Sequence, residues 1–409
     1  MTRRIFTGGQ VLDGTGTPAA RADVAVEGGR IAEIGIGLDG DEQVDVTGAT
    51  LLPGLFDCHV HVMISGVDTL RQIQTPFSLP FYEAVHNLRR TLALGITHVR
   101  DAGGADLGVA EAVRKGLIAG PRMQIAISML SQTGGHGDGW QVCGAELPLM
   151  GPHPGRPATI VDGPDEMRRK VRELLRAGAD VLKVATSGGV LSARDDPRHP
   201  HFRPVELEVL VEEATAAGAF VMAHAQGAEG IKAAVRAGIR SIEHGIFLDD
   251  EAIELMLEHG TWLVPTLAAP RAVLTAVAAG ASLPAAVIEK ARSVQAAHDD
   301  AMRRAVEAGV TIAMGTDSGV GPHGSNLDEL ALMASCGMAP DEVWRATTLS
   351  AAELLGVAEE FGSLEPGKRA DLVVLDGDPQ DLTKLESRIR EVYQDGELVA
   401  ADGATLQGR

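Results

Sequence analysis

The chain has 409 residues, 45% of them hydrophobic, with a formal net charge of −20 and three cysteines. That length holds one large domain plus a smaller one, and the acidic balance excludes a nucleic-acid or anionic-membrane partner, which would need a basic patch to neutralise phosphates. Cys58, Cys143 and Cys336 are scattered and odd in number, so neither a disulfide framework nor a zinc knuckle is implied; the charged N-terminus is followed by no apolar core, and a cytoplasmic location is expected.

Residues 1 to about 52 read as short strands joined by glycine turns. Asp23-Val24-Ala25-Val26-Glu27 and Arg30-Ile31-Ala32-Glu33-Ile34 alternate in polarity around Gly28-Gly29, a hairpin signal. The far end has the same character: Ala370–Leu375 is one strand, and Glu391–Gln394 and Glu397–Ala400 flank an Asp395-Gly396 turn. The two termini are expected to combine into a small discontinuous β-sandwich, residues 1–52 plus 361–409.

Between them, in 53–360, strands alternate with helices. Eight candidate strands end near His61, Asp101, Ser128, Val184, His224, His244, Thr266 and Asp317. The intervening helices stop at Gly95, Gly120, Gly178, Gly218, Gly238, Gly260 and Gly309, as αβ turns do. Eight such units fit a (β/α)8 TIM barrel, although an open doubly wound sheet uses the same local signals. The seventh helical region runs long, about Pro284 to Glu307, with irregular structure expected after Pro270. Two connections are also long. Ser131 to about Pro164 carries Gly134-Gly135-His136-Gly137-Asp138-Gly139-Trp140, and Thr186 to Arg203 carries Ser187-Gly188-Gly189, Arg194 and several histidines. In a barrel both lie on the C-terminal face, where substrates are met.

Polar residues on the apolar strands carry the chemistry. The run Leu55-Phe56-Asp57-Cys58-His59-Val60-His61 ends in two histidines spaced to face one way on a strand. Such a pair is half a metal site, or else two imidazoles satisfied by carbonyls. Lys183 interrupts Val181-Leu182-Lys183-Val184, His224 and His244 end two further strands, and Asp317 ends the last. Six polar groups gather where barrel active sites are assembled.

This pattern, from Leu52-Pro53-Gly54 through Gly367-Lys368-Arg369-Ala370-Asp371, resembles the binuclear-metal branch of the amidohydrolase superfamily. The resemblance implies that His59, His61 and Asp317 bind one metal and His224 and His244 a second. It also implies that Lys183, carboxylated by CO2, bridges the two as a carbamate. Burial depresses a lysine pKa, which supplies the neutral amine that such a reaction needs. The His136 loop, the strand holding Lys183 and Ser241-Ile242-Glu243-His244-Gly245 look most like the prolidase-like group, which hydrolyses Xaa-Pro and other dipeptides or N-acyl amino acids and often forms homo-oligomers. There His136 would polarise the scissile carbonyl. Several relatives have a tyrosine soon after the fifth-strand histidine, where this chain has Ala225-Gln226-Gly227, so Gln226 stands at that substrate-binding position.

The expected reaction is hydrolysis of a small-molecule amide by a hydroxide held between two divalent ions, zinc by preference. Asp317 would shuttle the proton to the leaving nitrogen, and Arg194, or less favourably Arg203, would bind the leaving group's carboxylate. Open alternatives are a cyclic-amide or lactone hydrolase of the imidazolonepropionase or hydantoinase type, a non-hydrolytic decarboxylase or isomerase, and a vestigial barrel without catalysis.

Overall fold

The computed structural model describes residues 2–406 apart from 142, 149 and 193, so residue 1 and residues 407–409 of the expected terminal unit lie outside the described residues. The alternating N-terminal segments form a four-stranded sheet in the order Arg30–Gly35, Asp23–Glu27, Arg3–Thr7, Glu42–Asp45. Its hairpin turns at Gly28 and Gly29, both at positive φ, where glycine has no Cβ to clash. A seven-stranded sheet draws on both ends of the chain. Leu372–Asp376 lies antiparallel to Ala49–Pro53 on one side and to Ile389–Gln394 on the other. One apolar cluster joins the two sheets, with Phe6, Val24, Val26 and Ile31 from the first packed on Leu51, Leu372, Val374 and Tyr393 from the second.

The rest is a TIM-barrel-like α/β arrangement of parallel strands separated by helices: β1 (Leu55–Val60), β2 (Ile96–Asp101), β3 (Arg122–Ile125), β4 (Val181–Ala185), β5 (Phe220–Ala225), β6 (Ser241–His244) and β7 (Trp262–Val264). β3, β2 and β1 form one sheet, while Met129–Leu130 and β4 to β7 form another. β1 and β4, and β5 beyond Phe220, are buried on both faces, which is why they read as largely apolar runs in which a lysine or a histidine stands out. The segment Thr311–Asp317 lies between β7 and β1. Leu263 N–H donates to the Thr311 carbonyl, Ala313 N–H to Leu263, Cys58 N–H to Met314 and Asp317 N–H to His59. On the other flank Asp180 N–H donates to the Ile125 carbonyl.

Three local expectations are corrected. The third strand stops at Ile125, three residues short of Ser128, because Ile127 takes a left-handed φ of 65°. The eighth segment makes only an isolated bridge at Ile312 and a second at Ser318. The stretch around Pro270 is a helix, Ala268–Ala278, in whose first turn Pro270 loses no intrahelical bond. Of the helix-ending glycines, Gly120 alone keeps a negative φ. Among the described residues no helix is long and apolar enough to cross a membrane.

Candidate metal centre

The strand ends converge. His59 closes β1 with its Nδ1 2.7 Å from Glu243 Oε2, and His61 sets its Nδ1 2.7 Å from the Gly103 carbonyl. With Nδ1 engaged, both rings turn Nε2 toward Asp317 Oδ1, at 3.5 Å from His59 and 3.1 Å from His61. His244 anchors Nδ1 on Thr266 Oγ1 at 2.7 Å, which again leaves Nε2. His224 is turned the other way: Nε2 sits 3.1 Å from the Gly188 carbonyl, so Nδ1 is its free nitrogen. Centroid separations of 5.5 Å for His59 and His61, 5.1 Å for His59 and His244, and 4.6 Å for His224 and His244 make the four rings one continuous group. His59, His244 and Asp317 offer ligand atoms that all lie within 4.8 Å of one another.

Lys183 rises from the middle of β4 into this group. Its Nζ is buried and has no hydrogen-bond partner among the described residues. Burial pushes the amine down to about 8 against the pull of Glu243 and Asp317, and Arg100 adds to the depression. Burial likewise holds His59, His224 and His244 well below the ordinary imidazole value. The Lys183 charge depresses all three further, so they are kept in the neutral form that ligates metals. Burial lowers His61 too, but its bond to Asp317, the charges of Asp317 and Asp101 and the bond to Gly103 together outweigh this and raise it. Burial works to raise Asp317, and the bond to His61 and the charges around it bring it below the usual carboxylate range. Four imidazoles with one free nitrogen each, a carboxylate and an orphaned amine form a donor set that fits divalent cations.

Behind the clustered histidines lies a buried support that the sequence alone left without a role. Glu243 receives His59 on one oxygen, and on the other Arg100 Nη2 at 2.9 Å and Ser241 Oγ at 2.5 Å. Arg100 also donates to the Cys58 carbonyl at 2.7 Å. A carboxylate on the far nitrogen of a ligating histidine fixes the ring and makes it more basic. The available signal was Ser241 and Glu243 at a spacing of two on the strand Ser241–His244, which sends both to one face. Below β1, Asp57 accepts His59 N–H at 3.2 Å, Thr316 N–H at 3.1 Å and Asn326 Nδ2 at 2.9 Å, and so ties the strand to the segment that carries Asp317.

His136 comes from the long loop after β3. Its ring stacks on His224 with centroids 4.1 Å apart, and its Nδ1 lies 2.8 Å from Ser192 Oγ and 3.5 Å from Asp195 Oδ2. Gln226 is buried beside Ser187, whose Oγ accepts the Gln226 N–H at 2.8 Å, and its side-chain oxygen has no partner among the described residues. Arg194 is exposed, its guanidinium 5.8 Å from the Trp140 ring centroid. Arg203 caps the helix Pro204–Ala216 through its backbone, N–H to Glu206 at 2.7 Å.

The model of the family described as "Amidohydrolase family" matches residues 50–400. The ochratoxinase of Aspergillus niger is 35% identical over 98% of this chain and 87% of its own. A Xaa-Pro dipeptidase crystallised with methionine in its active site superposes with a TM-score of 0.89 at 34% identity, covering 98% of this chain and 100% of that one. A prolidase complexed with N-methylphosphonate-L-proline gives 0.90 at 35% identity, covering the same shares. The chain belongs to the amidohydrolase family, and within it to the prolidase-like group of hydrolases acting on amide bonds.

Proposed function

We propose that this protein hydrolyses the amide bond of a dipeptide or N-acyl amino acid in a centre that holds two divalent ions, zinc by preference. His59, His61 and Asp317 would hold one ion and His224 and His244 the other, with carboxylated Lys183 between them. The supporting observation is the Lys183 amine, buried without a partner inside a ring of four imidazoles and an aspartate. An ammonium left there would be a buried unpaired charge, whereas a carbamate presents two anionic oxygens to the same space. The same reading organises the chain as a closed (β/α)8 barrel over 53–360 and a β-sandwich from 1–52 plus 361–409. Its support is the backbone bonding of Thr311–Asp317 to both β7 and β1 and the apolar cluster shared by the two terminal sheets.

When bound, the metals supply Lewis acidity that makes a water-derived nucleophile available near neutral pH. The residues of the chain do the rest. Asp317 accepts the proton of the attacking water and returns it to the leaving nitrogen. His136, with Nδ1 engaged by Ser192, turns Nε2 to the scissile carbonyl oxygen and steadies the charge that develops there. Gln226 offers its unpartnered oxygen to a substrate N–H. Arg194, exposed on the loop after β4, meets the substrate carboxylate.

The test is a screen of metal-analysed protein against Xaa-Pro and other Xaa-Xaa dipeptides, N-acyl amino acids, and ring amides and lactones. Cleavage of open-chain amides with a free carboxylate is the expected outcome. Ring opening alone would move the assignment to the cyclic-amide class.

A further inference from the structure

We propose that Lys290 and Asp195 form a clamp that fixes His136 over the metal-binding histidines, so that the helix Ala285–Ala308 governs the placement of the group that meets the scissile carbonyl. The inference rests on the role given to His136 above. Lys290 Nζ donates to three oxygens of the loop after β4: the Gly189 carbonyl at 2.9 Å, the Ser192 carbonyl at 2.8 Å and Asp195 Oδ1 at 3.0 Å. An ammonium has three hydrogens, and all three are used. The acceptors lie about a hundred positions back in the chain, so this contact pins one β/α unit to another.

Asp195 passes the constraint on. Its side chain is 3% exposed, and a carboxylate so buried needs partners. Lys290 and the Ser192 hydroxyl meet Oδ1, while Gly189 N–H donates to Oδ2 at 3.0 Å. Oδ2 is also the atom 3.5 Å from His136 Nδ1, and Ser192 Oγ stands 2.8 Å from the same nitrogen. One edge of the imidazole is therefore gripped by two side chains whose own positions Lys290 sets. The ring has two further close neighbours. His224 stacks on one face, and the backbone of Gly189 lies so near that a Cβ there would come within 2.2 Å of the ring. A ring stacked on a strand histidine and held by Gly189, Ser192 and Asp195 of one loop has few other places to go once that loop is tied down.

Lys290 and Asp195 are proposed to act through His136 and are positioning residues. The test is a double-mutant cycle on the zinc-loaded full-length protein with the best N-acyl amino acid or dipeptide of the screen. Lys290→Met should lower kcat by roughly 10- to 100-fold, with KM moving by less than about threefold and zinc content unchanged. The double variant Lys290→Met/His136→Ala should be no slower than His136→Ala alone, since a clamp without its ring has nothing left to hold. Losses that multiply in the double variant would overturn the proposal, because Lys290 would then act independently of His136. A second measurement needs no turnover: carbethoxylation of His136 by diethyl pyrocarbonate, followed by peptide mass spectrometry, should be faster in Lys290→Met and in Asp195→Asn than in the native protein. An unchanged rate in both variants would overturn the clamp. If the native enzyme cleaves no amide of the panel, the hydrolase reading fails, and the carbethoxylation rates still decide the clamp.

Discussion

Asp317 and His244 hold φ values of 60° and 74°, a left-handed backbone that costs a non-glycine residue roughly 1–2 kcal/mol. Both lie among the proposed ligands, and Thr266, which fixes His244, shares the conformation at φ 53°. Their types and their places at the ends of apolar runs were legible in the sequence, because a charged or imidazole side chain is conspicuous there. The left-handed turn was not, since nothing in Gly315-Thr316-Asp317 marks the aspartate rather than the glycine as the residue that adopts it. Asp317→Asn should keep the bound metal, because the amide oxygen remains, and should lose turnover on the order of 1,000-fold. Metal analysis beside steady-state rates checks this, and near-native rates would remove the proton-shuttle role. A second residue-scale prediction concerns His298, whose Nε2 donates to the His244 carbonyl at 2.9 Å and whose buried ring is pushed from 6.5 down to about 4. Between these values the unfolded chain binds a proton that the folded chain does not, so stability falls as pH drops from 6.5 toward 4. His298→Gln retains an N–H donor but cannot titrate. Its unfolding free energy should fall less over that window, by up to about 3 kcal/mol, as denaturant curves at several pH values would show. Parallel curves for the two proteins would contradict it.

At the scale of the element, the two long loops were recognisable by length and by their glycines, but their mutual grip was not. His136 and Asp195 are 59 positions apart and meet only because the loop after β4 folds back under the loop after β3. Gly189 shows what that approach demands. Its φ lies outside the left-handed region, so alanine suits the backbone, yet the three atoms nearest the added Cβ would all belong to the His136 ring. Gly189→Ala is therefore expected to lower kcat/KM by roughly 10- to 100-fold while the melting temperature changes little. Unaltered kinetics would show that His136 need not sit where the structure places it. The Glu243 support of His59 was hidden for the same reason. Its partners are 184 positions apart, and periodicity speaks only of neighbours along a strand. The helix Ala268–Ala278 was not legible, because a proline in a first turn and a proline that ends a helix look alike without the flanking geometry, and the irregular structure expected after Pro270 is confined to residues 279–284.

Across the whole molecule, the alternating termini and the repeated strand, helix and glycine rhythm were enough to divide the chain into two kinds of architecture. Pairing was not available from them: Leu372–Asp376 finds Ala49–Pro53 across more than 300 residues, and only the fold selects that partner. The same holds for the centre, where side chains from His59 to Asp317 gather from four strands and one irregular segment around the buried amine of Lys183. The account depends on that gathering being a metal-loaded amide hydrolase. Its most direct measurement follows cleavage of a carboxylate-bearing N-acyl amino acid or dipeptide by metal-analysed protein, before and after chelation, with the intact mass taken in parallel. The expected result is turnover that disappears on chelation and returns with zinc, from a chain heavier by one carbon dioxide at Lys183. Turnover indifferent to chelation, from a protein whose Lys183 is unmodified, would contradict the account.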